Sequence, residues 1–254
     1  MARPDASAKL ASVAPRGGPS RTLIGVLVAV VAVVAVVAAV LAGQALSRSS
    51  APVSTTAAGG TTSPANAVPK GATGFGGPIV LNPGAPANAP TLDVYEDPQC
   101  PICREFEAAF GPTLASLVSS GQAKVAVHTM TFLDVGLRND SSVRAAGAAF
   151  CAADQGKFSE YMAAVYAGQP AQEGVGWTDA QLSGFAAQVG ISGAALTSWQ
   201  SCTTAKTYAA HVDAVEIASE KAGVTGTPTV RLGGQKVTLT TPSDLLAAVR
   251  AATR

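Results

Sequence analysis

Charge is scarce in this chain. Asp, Glu, Lys and Arg make up 13% of its 254 residues, and 17 basic against 16 acidic side chains leave a formal net charge of +1. So little charge offers no electrostatic footprint for nucleic acid, and no basic patch interleaved with aromatics occurs. Histidine is scarcer still, at 2 residues. His128 and His211 show no compact metal-ligand spacing with Cys151 and Cys202. No internal repeat is visible, which sets aside solenoids and arrays. Two local absences say more. Charged and polar residues are missing from 23–43, and aromatics, Leu, Ile and Met are missing from 47–74.

The first gap is a run of 21 consecutive apolar residues, mostly Val and Ala. As a helix it is long enough to cross about 30 Å of hydrocarbon, where every backbone group must pair internally. A cleaved signal peptide is the rival reading. Its apolar region usually spans about 7–15 residues and ends in a small-residue site, and here Gly43-Gln44-Ala45 is the nearest approach to one. The expectation is an uncleaved single span, residues 22–46. Arg3, Lys9, Arg16 and Arg21 precede it against Asp5, while Arg48 is the one nearby charge after it. The basic side stays in the cytoplasm, so residues 1–21 form a cytoplasmic tail and the C-terminal part is extracytoplasmic. Disulfides persist there.

Residues 47–74 are mostly Ser, Thr, Ala, Gly and Pro with little to bury. Such a segment cannot offset its ordering entropy and reads as a disordered tether with a reach of roughly 30 Å. Residues 75–254 suffice for one domain with a full core. Strands are predicted at 78–81, 91–95 and 123–130, with a helix from 103 between the last two. That order reads as a parallel pair joined by a crossover helix. Helices are predicted at 141–153, 157–167, 178–189, 193–202 and 204–222, within a strand-free stretch running from 139 to 222. A hairpin at 229–232 and 236–239 turns at Gly233-Gly234, and a helix at 242–252 opens on Pro242.

At the junction of the second strand and the crossover helix stands Cys100-Pro101-Ile102-Cys103. Cysteines in this spacing close a small disulfide ring or supply half of a zinc site. The zinc reading needs two further ligands. At a helix N-terminus the first sulfur meets unpaired N–H groups and the positive end of the helix dipole, both favouring the thiolate that attacks disulfides.

Strand, Cys-Pro-x-Cys, helix, strand, helical stretch, then Gly226-Thr227-Pro228-Thr229, hairpin and helix resembles the thioredoxin fold. More closely, Asp97-Pro98-Gln99-Cys100-Pro101-Ile102-Cys103 is similar to the active-site approach of the DsbA-like, extracytoplasmic bacterial thiol-disulfide oxidoreductases. The resemblance covers residues 75–254. It implies an α/β thioredoxin fold with a helical insertion, 139–222, between its βαβ and ββα halves, here preceded by one transmembrane helix. It departs from the Pro-His dipeptide of the best-known DsbA, whose oxidising power therefore does not transfer.

Within that frame Cys100 is the nucleophile, as the exposed N-terminal sulfur, and Cys103 the resolving cysteine one turn in. The resemblance implies that Pro228, after Thr227, is cis and faces the pair; an ordinary trans proline opening a strand is the alternative. It also implies a buried carboxylate acting as proton acceptor, with Asp93 the first candidate and Glu96 and Asp97 competing. Cys151 and Cys202 remain as an even pair, either bridged or two buried thiols. A bridge would close a loop of about 50 residues and stabilise by roughly 4 kcal/mol in the chain-entropy model. His128 reads as packed, His211 as lying on a solvated helix face, and Trp177 and Trp199 as core or cap residues.

Three functions follow from these readings. The first is a membrane-tethered oxidase that donates the Cys100–Cys103 disulfide to newly exported or unfolded proteins and is re-oxidised by a membrane partner, DsbB-like or similar to vitamin K epoxide reductase. The second is a reductase or isomerase on the same fold. The third is a non-catalytic binding module with structural disulfides. None calls for a cofactor or a metal.

Overall fold

The computed structural model describes residues 66–253. The predicted cytoplasmic tail, the span 22–46 and the tether up to residue 65 lie outside the described residues. Among the described residues no helix is long and apolar enough to cross a membrane.

The centre is strand β2, Thr91–Glu96, preceded by the two-residue β1, Ile79–Val80. Leu92 and Val94 are fully buried on one face of β2, and Glu96 continues that face. Asp93 and Tyr95 point to the other, as the two-residue period of a strand requires. Helix α1, Pro101–Ser120, crosses to β3, Lys124–Thr129, which pairs in parallel with β2 from Thr91 opposite Lys124 to Glu96 opposite Thr129. Strand β4, Thr229–Leu232, flanks β2 on the other side, antiparallel, and β5, Gln235–Lys236, closes the edge. The sheet order is β1-β3-β2-β4-β5. The predicted hairpin turns where expected, at Gly233 and Gly234 with φ of 57° and 81°. Two successive positive φ values suit glycine there. Its second strand stops at Lys236 instead of running to 239.

Helix α1 begins two residues earlier than predicted, with Pro101 at its first position, where a missing N–H costs nothing. Cys103, Phe106, Phe110, Leu114 and Leu117 form its buried stripe. Gly121, at φ 67°, ends it, with the Gln122 N–H closing back on the Leu117 carbonyl.

Between β3 and β4 lie α2, Leu133–Leu137; α3, Ser141–Asp154; α4, Phe158–Ala167; α5, Asp179–Gln188; α6, Gly193–Thr204; and α7, Ala209–Lys221. The sequence reading missed α2, a single short turn with no apolar period to reveal it. Helix α3 is the hub. Ala145, Ala146, Ala148, Ala149, Ala152 and Ala153 are all buried, so small side chains let α4, α6 and α7 approach from several sides. A helix buried nearly all round loses the single stripe that marks a surface helix. Thr178 caps α5 in a capping box with Gln181, and Thr241 does the same with Asp244 for the final helix, α8, Pro242–Ala252. Trp177 and Trp199 are each 3% exposed, and each indole N–H is satisfied by a carbonyl, Gly168 and Ala148 respectively.

Two expectations are corrected here. His211 does not lie on a solvated face: it is fully buried on α7 among Phe75, Phe150 and Tyr208, and its Nδ1 accepts the Gly76 N–H at 3.1 Å. Burial holds its pKa below the ordinary histidine value. The predicted tether also runs too far. Ala72 bridges Ile79, Val80 N–H reaches the Gly71 carbonyl, and Lys70 N–H reaches Asp154. Small, polar residues there are ordered by backbone pairing that composition does not reveal.

Candidate active site

Asp97-Pro98-Gln99-Cys100 forms a tight turn, closed by the Cys100 N–H on the Asp97 carbonyl at 3.0 Å. Asp at the first position and Pro at the second favour that turn. Cys100 then caps α1 with extended backbone, φ −70° and ψ 118°. The cap places its sulfur over the first-turn amides. The sulfurs are less open than the sequence implied: Cys100 is 7% and Cys103 0% exposed, while Ile102 between them is 55% exposed. Both cysteines are free thiols in this structure.

Their environments separate them. Cys100 is lowered to about 6, chiefly by a hydrogen bond from the Cys103 thiol, which outweighs partial burial. The amides of Cys103 and Ile102 add to it. Cys103 moves far up, because burial leaves its anion unsolvated and its own proton is the one given to Cys100. The Thr227-Pro228 bond is cis, and the Thr227 carbonyl lies 3.6 Å from Cys100 Sγ. The loop before β4 thus faces the cysteine pair.

Asp93 is not the buried carboxylate. It points to the opposite face of β2 and meets His128 Nε2 at 2.9 Å, with side chains 21% and 13% exposed. There His128 stacks on Tyr95 at 4.0 Å, and the Arg231 guanidinium lies over the same ring at 5.6 Å. Glu96 takes the position beneath the sulfurs. It is 2% exposed, shares a hydrogen bond with Glu107, and acts electrostatically on Cys103. Burial and the proximity of two carboxyls hold Glu96 well above the carboxylate range, and burial raises Glu107 as well. The Tyr166 hydroxyl completes this pocket. Like Glu96 Oε1 it is buried without a partner. Glu107 escaped the sequence reading, yet it falls four residues after Cys103, on the same helix face.

Asp97 is fully buried and its pKa is raised to about 7, burial outweighing three hydrogen bonds that favour the anion. It accepts from the Gln99 N–H (2.9 Å), the Leu133 N–H (3.1 Å) and the Ser142 hydroxyl (2.5 Å), tying the active-site turn to α2 and α3.

Cys151 and Cys202 form a disulfide joining α3 to α6, with a Cα–Cα distance of 5.9 Å. A cavity of about 940 Å³ opens beside it, lined by Arg144, Trp199 and Tyr208 among others and containing neither Cys100 nor Cys103. Among the described residues no group of three or more His, Cys, Asp or Glu side chains is placed to hold a metal.

Comparison with known proteins agrees with this geometry. The family described as Thioredoxin (Thioredoxin_4) matches residues 79–251. The reduced disulfide bond oxidoreductase DsbG from Mycobacterium tuberculosis superposes with a TM-score of 0.59 at 29% identity, over 70% of this chain and 88% of that one. Oxidised DsbA from the same organism gives 0.57 at 30%, over 68% and 87%. MdbA from Corynebacterium diphtheriae, a thiol-disulfide oxidoreductase, shares the fold at 23% identity, with a TM-score of 0.59 over 72% and 92%. The serine/threonine-protein kinase PknE of M. tuberculosis is 29% identical over 164 residues, which are 61% of this chain. The match spans only 29% of that kinase's length.

Proposed function

The chain belongs to the thioredoxin family, in which it is a DsbA-like protein thiol-disulfide oxidoreductase, and from that footing we propose that it runs as an oxidase, passing its Cys100–Cys103 disulfide to exported proteins. The observation that carries this direction is the placement of the two sulfurs, Cys100 at the cap of α1 with first-turn donors directed at it and Cys103 fully buried behind it. A Cys100 thiolate stabilised to about 6 stabilises the reduced enzyme, which makes the disulfide form the better oxidant.

The cycle follows from the geometry. A substrate thiolate attacks Cys100 Sγ in the oxidised enzyme. The Cys100–Cys103 bond breaks, its electron pair leaves on Cys103, and a mixed disulfide forms on Cys100. Buried Cys103 cannot remain an anion and takes a proton, for which the Glu96 carboxyl, held well above the carboxylate range by burial and by Glu107, is the source. A second substrate thiolate then attacks the substrate sulfur and expels Cys100 as the stabilised thiolate. The substrate dithiol has lost two electrons and two protons, and the enzyme has gained the electrons. Re-oxidation reverses the proton step: Glu96 as carboxylate takes the Cys103 proton so that Cys103 can attack.

The apolar run 23–43 and the basic residues before it support a tether that keeps the domain on the extracytoplasmic face. A membrane re-oxidant, DsbB-like or similar to vitamin K epoxide reductase, would then share that surface. Carbonate extraction of intact cells tests the tether: recovery of the domain in the soluble fraction, lacking the first 45 residues, would remove it.

Equilibration of the full chain against glutathione tests the direction. A potential less negative than about −180 mV is expected, whereas one near −270 mV, in the thioredoxin range, would make the protein a reductant.

A further inference from the structure

The turn that carries Cys100 is gripped from outside the thioredoxin half of the molecule. Gln169, just beyond α4, donates its side-chain amide to the Pro98 carbonyl at 2.8 Å and to the Cys100 carbonyl at 3.0 Å, so one group clamps both sides of Gln99. The Cys100 carbonyl is also the acceptor of the first helical bond, from Arg104 N–H at 3.2 Å. Gln99 is 2% exposed although it directly precedes the reacting residue. Its side-chain Nε2 has Asp134 Oδ1 at 2.7 Å, Ser142 Oγ at 2.9 Å and Asn139 Oδ1 at 3.0 Å within reach, and its Oε1 accepts from Asn139 Nδ2 at 3.1 Å. These partners are fixed in turn. Asp134 accepts the Ser142 and Val143 N–H groups at the start of α3, each at 2.9 Å, and Asn139 Nδ2 donates to the Gly174 carbonyl at 3.0 Å.

We propose that Gln99 and Gln169 are positioning residues for Cys100, through which the helical insertion governs the reactivity of a thiol to which it supplies no reacting atom. The proposal rests on the reading of Cys100 as the nucleophile. The physical reason is the geometry of the cap. Stabilisation of the Cys100 anion comes from donors with fixed directions: the Cys103 thiol and the amides of Cys103 and Ile102. Those hydrogen bonds weaken steeply as the donor angle opens. The cap torsions decide whether the sulfur meets those donors. A cap residue has only its carbonyl in the helical ladder, here bonded to Arg104 N–H, so the turn before it is held by partners from outside. The Gln169 amide holds the Cys100 and Pro98 carbonyls directly, and the Gln99 amide anchors the residue between them to Asp134, Asn139 and Ser142; both amides are uncharged, so they act through geometry and not by placing a charge near the sulfur.

The test uses the full chain in detergent, with Cys100 titrated by its thiolate absorbance and by its alkylation rate against pH. Gln169→Met and Gln99→Met keep side-chain length and remove the amide. Gln188→Met, at an exposed position of α5, is the control. Wild type and control are expected to titrate at about 6. Each active-site variant is expected to move up by about one unit, which is about tenfold less thiolate at pH below the transition. The helical circular dichroism should not change. If Gln99→Met fails to fold, Gln169→Met alone decides. A folded Gln169→Met protein whose Cys100 titrates with wild type overturns the positioning role while leaving the nucleophile in place. A wild-type Cys100 that titrates at the ordinary thiol value overturns both, and the wild-type curve tells the two failures apart.

Discussion

Two cysteine pairs in one chain have been put to opposite uses. Cys100 and Cys103 are three residues apart, at the start of a helix where the Cys103 thiol and first-turn amides push Cys100 down and burial pushes Cys103 up. Cys151 and Cys202 are 51 residues apart, in the last turn of α3 and near the end of α6, with buried alanines around the first. As a formed disulfide this pair carries no thiol to titrate, and the cavity beside it includes neither Cys100 nor Cys103. The difference lies in placement: anion-stabilising donors at a helix start make a redox centre, and a bridge between two helices distant in sequence makes a staple.

Removing each pair should break the comparison most sharply. Cys100→Ser is expected to lose all oxidation of a reduced, unfolded substrate, and Cys103→Ser to hold substrate on Cys100 as a mixed disulfide visible on non-reducing gels. Adducts on Cys103 in the Cys100→Ser protein would reverse the two roles. The double substitution Cys151→Ala/Cys202→Ala should keep activity at low temperature but lose roughly 4 kcal/mol of stability in denaturant unfolding, the loop-closure value for a loop of this length. An unchanged midpoint would mean that helix packing alone holds α3 to α6.

Next in size is the proton step. Glu96→Gln removes the group that exchanges a proton with Cys103, and oxidation should slow by about 10²-fold at neutral pH, the lower range for general acid–base catalysis. Glu107→Gln leaves Glu96 in place and should cost less. The reverse ranking in stopped-flow assays would move the role to Glu107, and Asp93→Asn should change neither rate.

The smallest effect is graded with pH. Because the folded value of Cys100 is lowered, its stabilisation of the reduced protein is full above the unfolded thiol value near 9 and is lost as pH falls through about 6. Alkylation of Cys100 should therefore reach half its maximal rate near pH 6, while Cys151 and Cys202 stay unmodified throughout. A transition near 9, the ordinary thiol value, would erase the distinction drawn between the pairs.

The order of elements was legible because each half of the fold carries its own local signal. Strands β2 and β3 show β-rich apolar runs, Pro101 and Pro242 open helices, and Gly121 and the Gly233-Gly234 pair close or turn them. Three parts of the site were not. Glu96, Asp97 and Asp93 stand within five residues of one another in one strand and its exit, and only the strand's facing decides which is beneath the sulfurs. His211 is polar and sits on a helix of weak apolar period, so its burial by Phe75 and Phe150 depends on elements that are remote in sequence. Gln99 and Gln169 are 70 residues apart and are unremarkable in composition.

The sequence by itself determined which sulfurs could react. The spacing of Cys100 and Cys103, and a proline at the first helical position, fix a thiol at a helix start, and helix dipole and free amides act over one turn of chain. Tertiary structure decided how that thiol is tuned. Burial beside Glu96, a facing Thr227 carbonyl at 3.6 Å and the Gln169 amide at 3.0 Å act between groups up to 127 residues apart along the chain. Local sequence carries torsional preference, but desolvation and hydrogen-bond direction exist only once distant segments have met.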